Sequence, residues 1–94
     1  MIKSFADAET RAFWETGKSR RIPPANLRKV AKRKLMVLDS ARSLEDLKSP
    51  PHNQLHALFH DRAGQHAIRI NDQYRLCFRW DEGNAYEVEI TDYH

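Results

Sequence analysis

The chain has 94 residues, 40% hydrophobic, 10% aromatic and 31% charged, with 16 Lys/Arg against 13 Asp/Glu and one cysteine. That length gives one domain, residues 1–94, and the apolar content argues against disorder. No apolar run reaches the roughly 18 residues of a membrane span, the opening Met1–Asp7 lacks the apolar core of a signal peptide, and Cys77 alone supports no disulfide framework and no Cys-based zinc motif, so a cytoplasmic protein without contact to membrane is expected.

The charge is unevenly spread. Residues 1–34 hold 10 Lys/Arg against 3 Asp/Glu, whereas residues 61–94 hold 4 against 7. The densest stretch, 18–34, contains Lys18, Arg20, Arg21, Arg28, Lys29, Lys32, Arg33 and Lys34 and no acid. A basic half on a mildly acidic half suggests a surface that meets a polyanion, although a dense run of cations also suits a solvated helix face.

Ile2 to Phe5 reads as a short strand. Residues 6–16 have helical spacing, with Phe5, Ala8, Ala12, Phe13 and Trp14 on one side and Gly17 as the C-terminal cap. Lys18 to Ile22 is a basic loop, closed by Pro23-Pro24, which also open the next helix. Over 24–39 the residues Leu27, Val30, Ala31, Leu35 and Leu38 form one apolar stripe, and Arg28, Lys29, Lys32 and Arg33 lie away from it. Ser43 to Leu47 suits a helical turn with Ser43 and Asp46 as a capping box, and Ser49-Pro50-Pro51 breaks the chain. The last third alternates: Ile68 and Ile70, then Tyr74, Leu76, Phe78 and Trp80, then Tyr86, Val88 and Ile90. Turns at Asn71-Asp72-Gln73 and Asp81-Glu82-Gly83-Asn84 make this an antiparallel meander. Its apolar face can take both helices. The other face carries Arg69, Arg75, Cys77, Arg79, Glu87 and Glu89, a pattern that suits cross-strand ion pairs or a bound phosphodiester. The expected fold is α+β, a small antiparallel sheet with the two helices of the N-terminal half on one face.

His52, His56 and His60 stand four apart. A fourth strand over 52–60 would place them on one face and Leu55 and Phe59 on the other. On a continuous strand four residues span ~13 Å, so only a helix would bring the three to one metal. No metal and no cofactor is expected.

The end of the chain, Ile90-Thr91-Asp92-Tyr93-His94, sets an acid, a phenol and an imidazole directly after a core strand. RNA cleavage without metal needs a base for the 2′-OH, an acid for the departing 5′-oxygen, and donors for the phosphorane-like charge. His56, Asp92 and His94 supply titratable groups, Arg75 and Arg69 supply positive charge, and Tyr93 can stack on a base or bond a phosphate.

The opening Met1-Ile2-Lys3-Ser4-Phe5, the segment Leu55-His56-Ala57-Leu58, the segment Tyr74-Arg75-Leu76-Cys77-Phe78 and the closing Asp92-Tyr93-His94 together resemble the HigB-type toxins of the RelE superfamily, over essentially the whole chain. The resemblance implies a ribosome-dependent endoribonuclease that cuts translated mRNA in the ribosomal A site. It also implies a cognate helix-turn-helix antitoxin of HigA type, with operator DNA contacted only through that antitoxin. By position it places the active-site histidine on His56, the terminal aspartate, tyrosine and histidine on Asp92, Tyr93 and His94, and the sheet arginine on Arg75. Arg28, Lys29, Lys32 and Arg33, with Arg69, are the expected contacts to RNA or ribosome. The family commonly has Leu-His-Pro-Leu-Lys-Gly where this chain has Leu55-His56-Ala57-Leu58-Phe59-His60, so Phe59 replaces a lysine suited to phosphate. A non-catalytic ribosome- or RNA-binding inhibitor on the same fold is the alternative. A helix-turn-helix regulator is disfavoured because the helical half is too short, and no glycine-rich phosphate loop is present.

Overall fold

The computed structural model describes residues 1–92, the side chain of His52 excepted; Tyr93 and His94 lie outside the described residues. Two helices, α1 (Ala8–Thr16) and α2 (Arg28–Ser40), precede four strands, β1 (His56–Ala57), β2 (Gln65–Arg69), β3 (Tyr74–Asp81) and β4 (Asn84–Asp92). The strands form one sheet in the order β1-β2-β3-β4, each pair antiparallel. Among the described residues no helix is long and apolar enough to cross a membrane.

The ends of α1 follow its sequence. The Asp7 carboxylate accepts from the Thr10 N–H at 2.8 Å, and Gly17, at φ 77°, donates its N–H to the Phe13 carbonyl at 2.8 Å. Its buried side differs from the expected one: Thr10 and Phe13 are buried, while Ala8 and Ala12 are exposed. Thr10 holds a core position because its Oγ1 accepts the buried Ile90 N–H of β4 at 3.2 Å. A hydroxyl that satisfies a strand donor can sit where periodicity expects carbon.

The chain enters α2 through a short 3-10 turn, Ala25–Leu27, after Pro23-Pro24. The expected stripe is present, with Ala31, Leu35 and Leu38 buried and Leu27 and Val30 packed beside them. Lys34 is the exception: it falls within the stripe and is only 4% exposed. The expected turn after α2 is a 3-10 helix, Leu44–Lys48, where the Asp46 carboxylate accepts from the Arg42 and Ser43 N–H groups at 2.8 and 3.2 Å.

The opening segment forms no continuous strand. It runs parallel to β4 through single bridges, Ile2 to Ala85 and Phe5 to Val88, which lie three residues apart on both sides. The same stretch of β4 carries a bulge against β3. Cys77 pairs with Glu89 but Arg79 pairs with Tyr86, so β4 holds one extra residue, and Glu87 takes φ 52°. The Ser4 hydroxyl accepts the Glu87 N–H at 2.9 Å, which satisfies a donor displaced from the ladder. The bulge also corrects the expected alternation. Ala85, Val88 and Ile90 face the core, and Tyr86, opposite Arg79, turns to the other side.

Both turns of the meander form as expected. The Asn71 side chain accepts from the Gln73 and Tyr74 N–H groups at 3.0 and 2.7 Å. Glu82 and Gly83, at φ 46° and 80°, make the two-residue hairpin between Asp81 and Asn84.

One face of the sheet packs against both helices, in a core that joins Phe13, Leu35 and Leu38 to Ile68, Leu76, Phe78, Val88 and Ile90. Residues 52–60 depart most from expectation. In place of a nine-residue strand there is a 3-10 turn at Pro51–Asn53, the two-residue β1, and a second 3-10 turn at His60–Arg62. Gln54 and His60 adopt positive φ, 49° and 57°, which a continuous strand does not allow. Phe59 is 75% exposed rather than packed.

Candidate functional site

The face of the sheet away from the helices holds the chemistry. Cross-strand partners share a face, so the register His56–Ala67–Cys77–Glu89 is one row across all four strands. Two residues further along, about 7 Å at the usual rise per residue, Arg69, Arg75 and Thr91 form a parallel row. The structure therefore sets His56, Arg69 and Arg75 on one surface, of which the alternation implied the two arginines. The expected group also includes Asp92, which pairs with Tyr74 and so belongs by register to the helix-bearing side, at the end of the sheet. The Gln73 amide donates to Asp92 Oδ2 at 3.0 Å. Tyr93 and His94, the other expected members, lie outside the described residues.

The arginines are braced. Arg75 Nη1 donates to the carbonyls of Asn71 and Tyr74, so its guanidinium is fixed over the β2–β3 turn. Arg69 donates to Asp72 at 2.5 Å, and that bond holds the Asp72 carboxyl below its usual range. Arg69 and Arg75 are directly opposed. Like charges in such a pair are unfavourable unless an anion lies between them or nearby. Arg79 pairs with Glu87 at 2.5 Å, and Arg62 with Glu89 at 2.8 Å.

Beneath these charges lies a second, small apolar cluster of Leu58, Ala67 and Cys77. Burial, above all, pushes the Cys77 thiol pKa up, so it serves as a small apolar side chain rather than a nucleophile. The sequence reading put Cys77 on a solvated face. What it missed is that Leu58, arriving with β1, covers that position.

His56 is exposed, and its ring is held from behind. Nδ1 stands 2.9 Å from the Gln54 carbonyl oxygen, itself set by the left-handed backbone of Gln54. Among the described residues no three of His, Cys, Asp and Glu are gathered as a metal site.

The basic helix faces elsewhere, because α2 lies against the opposite side of the sheet. Two of its four expected contacts also brace the fold. Arg28 donates to Ser19 Oγ and to the Ser19 carbonyl at 3.1 and 2.8 Å. Lys32 donates to the Trp14 carbonyl at 2.6 Å and sits 4.4 Å from the centre of the Trp14 ring. Lys29 and Arg33 are exposed.

Residues 3–94 match the family described as RelE-like toxin of type II toxin–antitoxin system HigB. The chain is 38% identical over 85 residues to Toxin HigB-1 of Vibrio cholerae serotype O1, covering 90% of both chains. It is 30% identical over 94 residues to the Endoribonuclease HigB of Proteus vulgaris, covering all of both. An uncharacterized protein of Haemophilus influenzae is 35% identical over 81 residues, 86% of this chain and 80% of that one.

Proposed function

This chain belongs to the HigB family of RelE-like toxins, and we propose that it is the endoribonuclease of its module, cutting translated mRNA in the ribosomal A site. As a type II toxin it is paired with a cognate antitoxin. The antitoxin we expect is a helix-turn-helix protein of HigA type that carries the pair to operator DNA.

The observation that supports the reading is the shared surface of His56, Arg69 and Arg75, outside the helix-packed core. The chemistry is proton transfer around a phosphodiester. A base removes the proton of the 2′-OH, whose oxygen attacks the adjacent phosphorus. The bond to the 5′-oxygen breaks as an acid protonates that oxygen, leaving a cyclic phosphate and a 5′-OH. His56 is exposed and suited to one of these transfers. Arg75, already oriented by two carbonyls, stabilises charge on the crowded phosphorus with little reorganisation. Tyr93 and His94 complete the proposed group by their resemblance to the family's terminal residues, and Asp92, on the helix-bearing side by register at the end of the sheet, joins it by that resemblance alone.

The test is 5′-end mapping of mRNA after brief induction, wild type beside His56→Ala and His94→Ala. Expected are new ends within translated codons for the wild type and a loss of about 10²–10⁴-fold in cleavage for the variants. New ends at the wild-type level in both variants overturn the site. A fall in translation with no new ends overturns the nuclease in favour of a binding-only inhibitor, with Phe59 in place of a lysine as its first explanation.

A further inference from the structure

We propose that Lys34 and Asn53 are positioning residues for His56: they fix the backbone that brings the Gln54 carbonyl to Nδ1, so that the neutral imidazole keeps its proton on Nδ1 and presents Nε2 as the accepting atom. This rests on the reading of His56 as a proton-transfer group and adds which nitrogen does the work and what sets it.

The chain of bonds is continuous. Lys34, in the buried stripe of α2, donates its ammonium to Asn53 Oδ1. Asn53 is fully buried, and its Nδ2 donates to the Leu47 and Ser49 carbonyls at 3.2 and 3.3 Å. An ammonium only donates and a carbonyl only accepts, so these three partners permit one orientation of the amide. The Asn53 and Gln54 N–H groups then donate to the Pro50 and Pro51 carbonyls, both at 3.0 Å. Gln54 is thereby held at φ 49° and ψ 49°, a conformation disfavoured for a residue with a Cβ and kept where the surroundings over-determine it. Its carbonyl oxygen meets His56 Nδ1 at 2.9 Å. A carbonyl has no proton to give, so Nδ1 carries the hydrogen, and in the neutral ring Nε2 carries the lone pair.

Lys34 is an unusual choice for packing alone. Among the described residues its ammonium has no carboxylate partner. Burial, then Arg33 and Arg69, pull its pKa below the usual lysine value, so the charged form is held at a cost. A carbon side chain would fill the stripe without that cost but would leave Asn53 Oδ1 unpaired.

The experiment reads the His56 tautomer by long-range ¹⁵N–¹H correlation on the full chain, and in parallel the cleavage of mRNA on programmed ribosomes. The wild type is expected as the Nδ1–H form, and Lys34→Met is expected to lose it in part. Should Lys34→Met fail to fold, Asn53→Asp decides, because it keeps an acceptor for Lys34 and loses both Nδ2 donations. Gln54 is exposed, so Gln54→Gly and Gln54→Val isolate the backbone step. Glycine tolerates the left-handed region and should keep both tautomer and rate. Valine should lose the tautomer and lower kcat roughly 10–100-fold at unchanged KM. Retention of the Nδ1–H form in folded Lys34→Met or Asn53→Asp overturns the proposal, as does full cleavage once the tautomer has shifted. A shifted tautomer with no cleavage by the wild type upholds the positioning and overturns the nuclease reading instead.

Discussion

The two faces of the sheet are built on different principles. On the helix side, Phe13, Leu35, Leu38, Leu76, Phe78 and Val88 are wholly buried in one continuous core. On the other side the buried apolar cluster among the described residues is Leu58, Ala67 and Cys77, and arginines and carboxylates surround it. Packing decides the first face and leaves little freedom in residue type. Charge and hydrogen bonding decide the second, where side chains can be chosen for RNA. The sharpest way to break this contrast is to cut matching holes. Phe13→Ala should cost about 3–5 kcal/mol of unfolding free energy, read by urea denaturation. Cys77→Ala, which removes one buried heavy atom, should cost about 1 kcal/mol. His56→Ala, at an exposed position, should stay within about 0.5 kcal/mol while cleavage falls. Equal losses at Phe13 and Cys77 would mean that the outer face is a second core and not a working surface.

Lys34 is where the contrast is violated, since a charge lies within the packed side. Its folded pKa is below the ordinary 10.5. Between the two values the unfolded chain holds more protons than the folded one, so this group's contribution to stability rises with pH through that window and is level below it. The stability of the wild type relative to Lys34→Met should therefore climb as pH approaches 10.5. A flat or falling difference across chemical denaturation at several pH values would show that the amine is as well solvated in the fold as outside it.

What the sequence reveals follows the same division. The stripe of α2 is legible because its apolar spacing acts locally, and the end of α1 because Gly17 does, but the buried side of α1 is not, since the Ile90 N–H of β4 draws Thr10 inward. The meander and the face shared by Arg69, Arg75 and Cys77 are legible too, since strand parity alone decides them. The bulge is not, because Glu87 takes a left-handed conformation that glycine would have announced, and the Ser4 hydroxyl that supports it lies 83 positions away. The segment before His56 fails for a related reason. Its shape is set by the side chain of Asn53 and by Lys34, 19 positions earlier, and neither has a periodic signature. Of the candidate site, residue types and the common face of the two arginines are legible, while the support behind His56 is not.

The smallest expected effect on stability separates two kinds of cation on α2. Arg28 and Lys32 close the α1–α2 connection through Ser19 and Trp14, whereas Lys29 and Arg33 are exposed. Charge reversal at Lys29→Glu with Arg33→Glu should change unfolding free energy by no more than about 0.5 kcal/mol. It should still weaken co-sedimentation with ribosomes, because loss of surface cations lowers attraction to a polyanion at any fixed salt. Arg28→Ala and Lys32→Ala should show the opposite balance, with a larger loss of stability than of ribosome binding. If all four positions weaken binding alike, the helix acts as an undivided basic patch, and the bonds to Ser19 and Trp14 do not divide its cations. If Lys29 and Arg33 change nothing, the charge asymmetry that first suggested a polyanion belongs to a solvated helix face, and the sheet arginines carry the RNA contact alone.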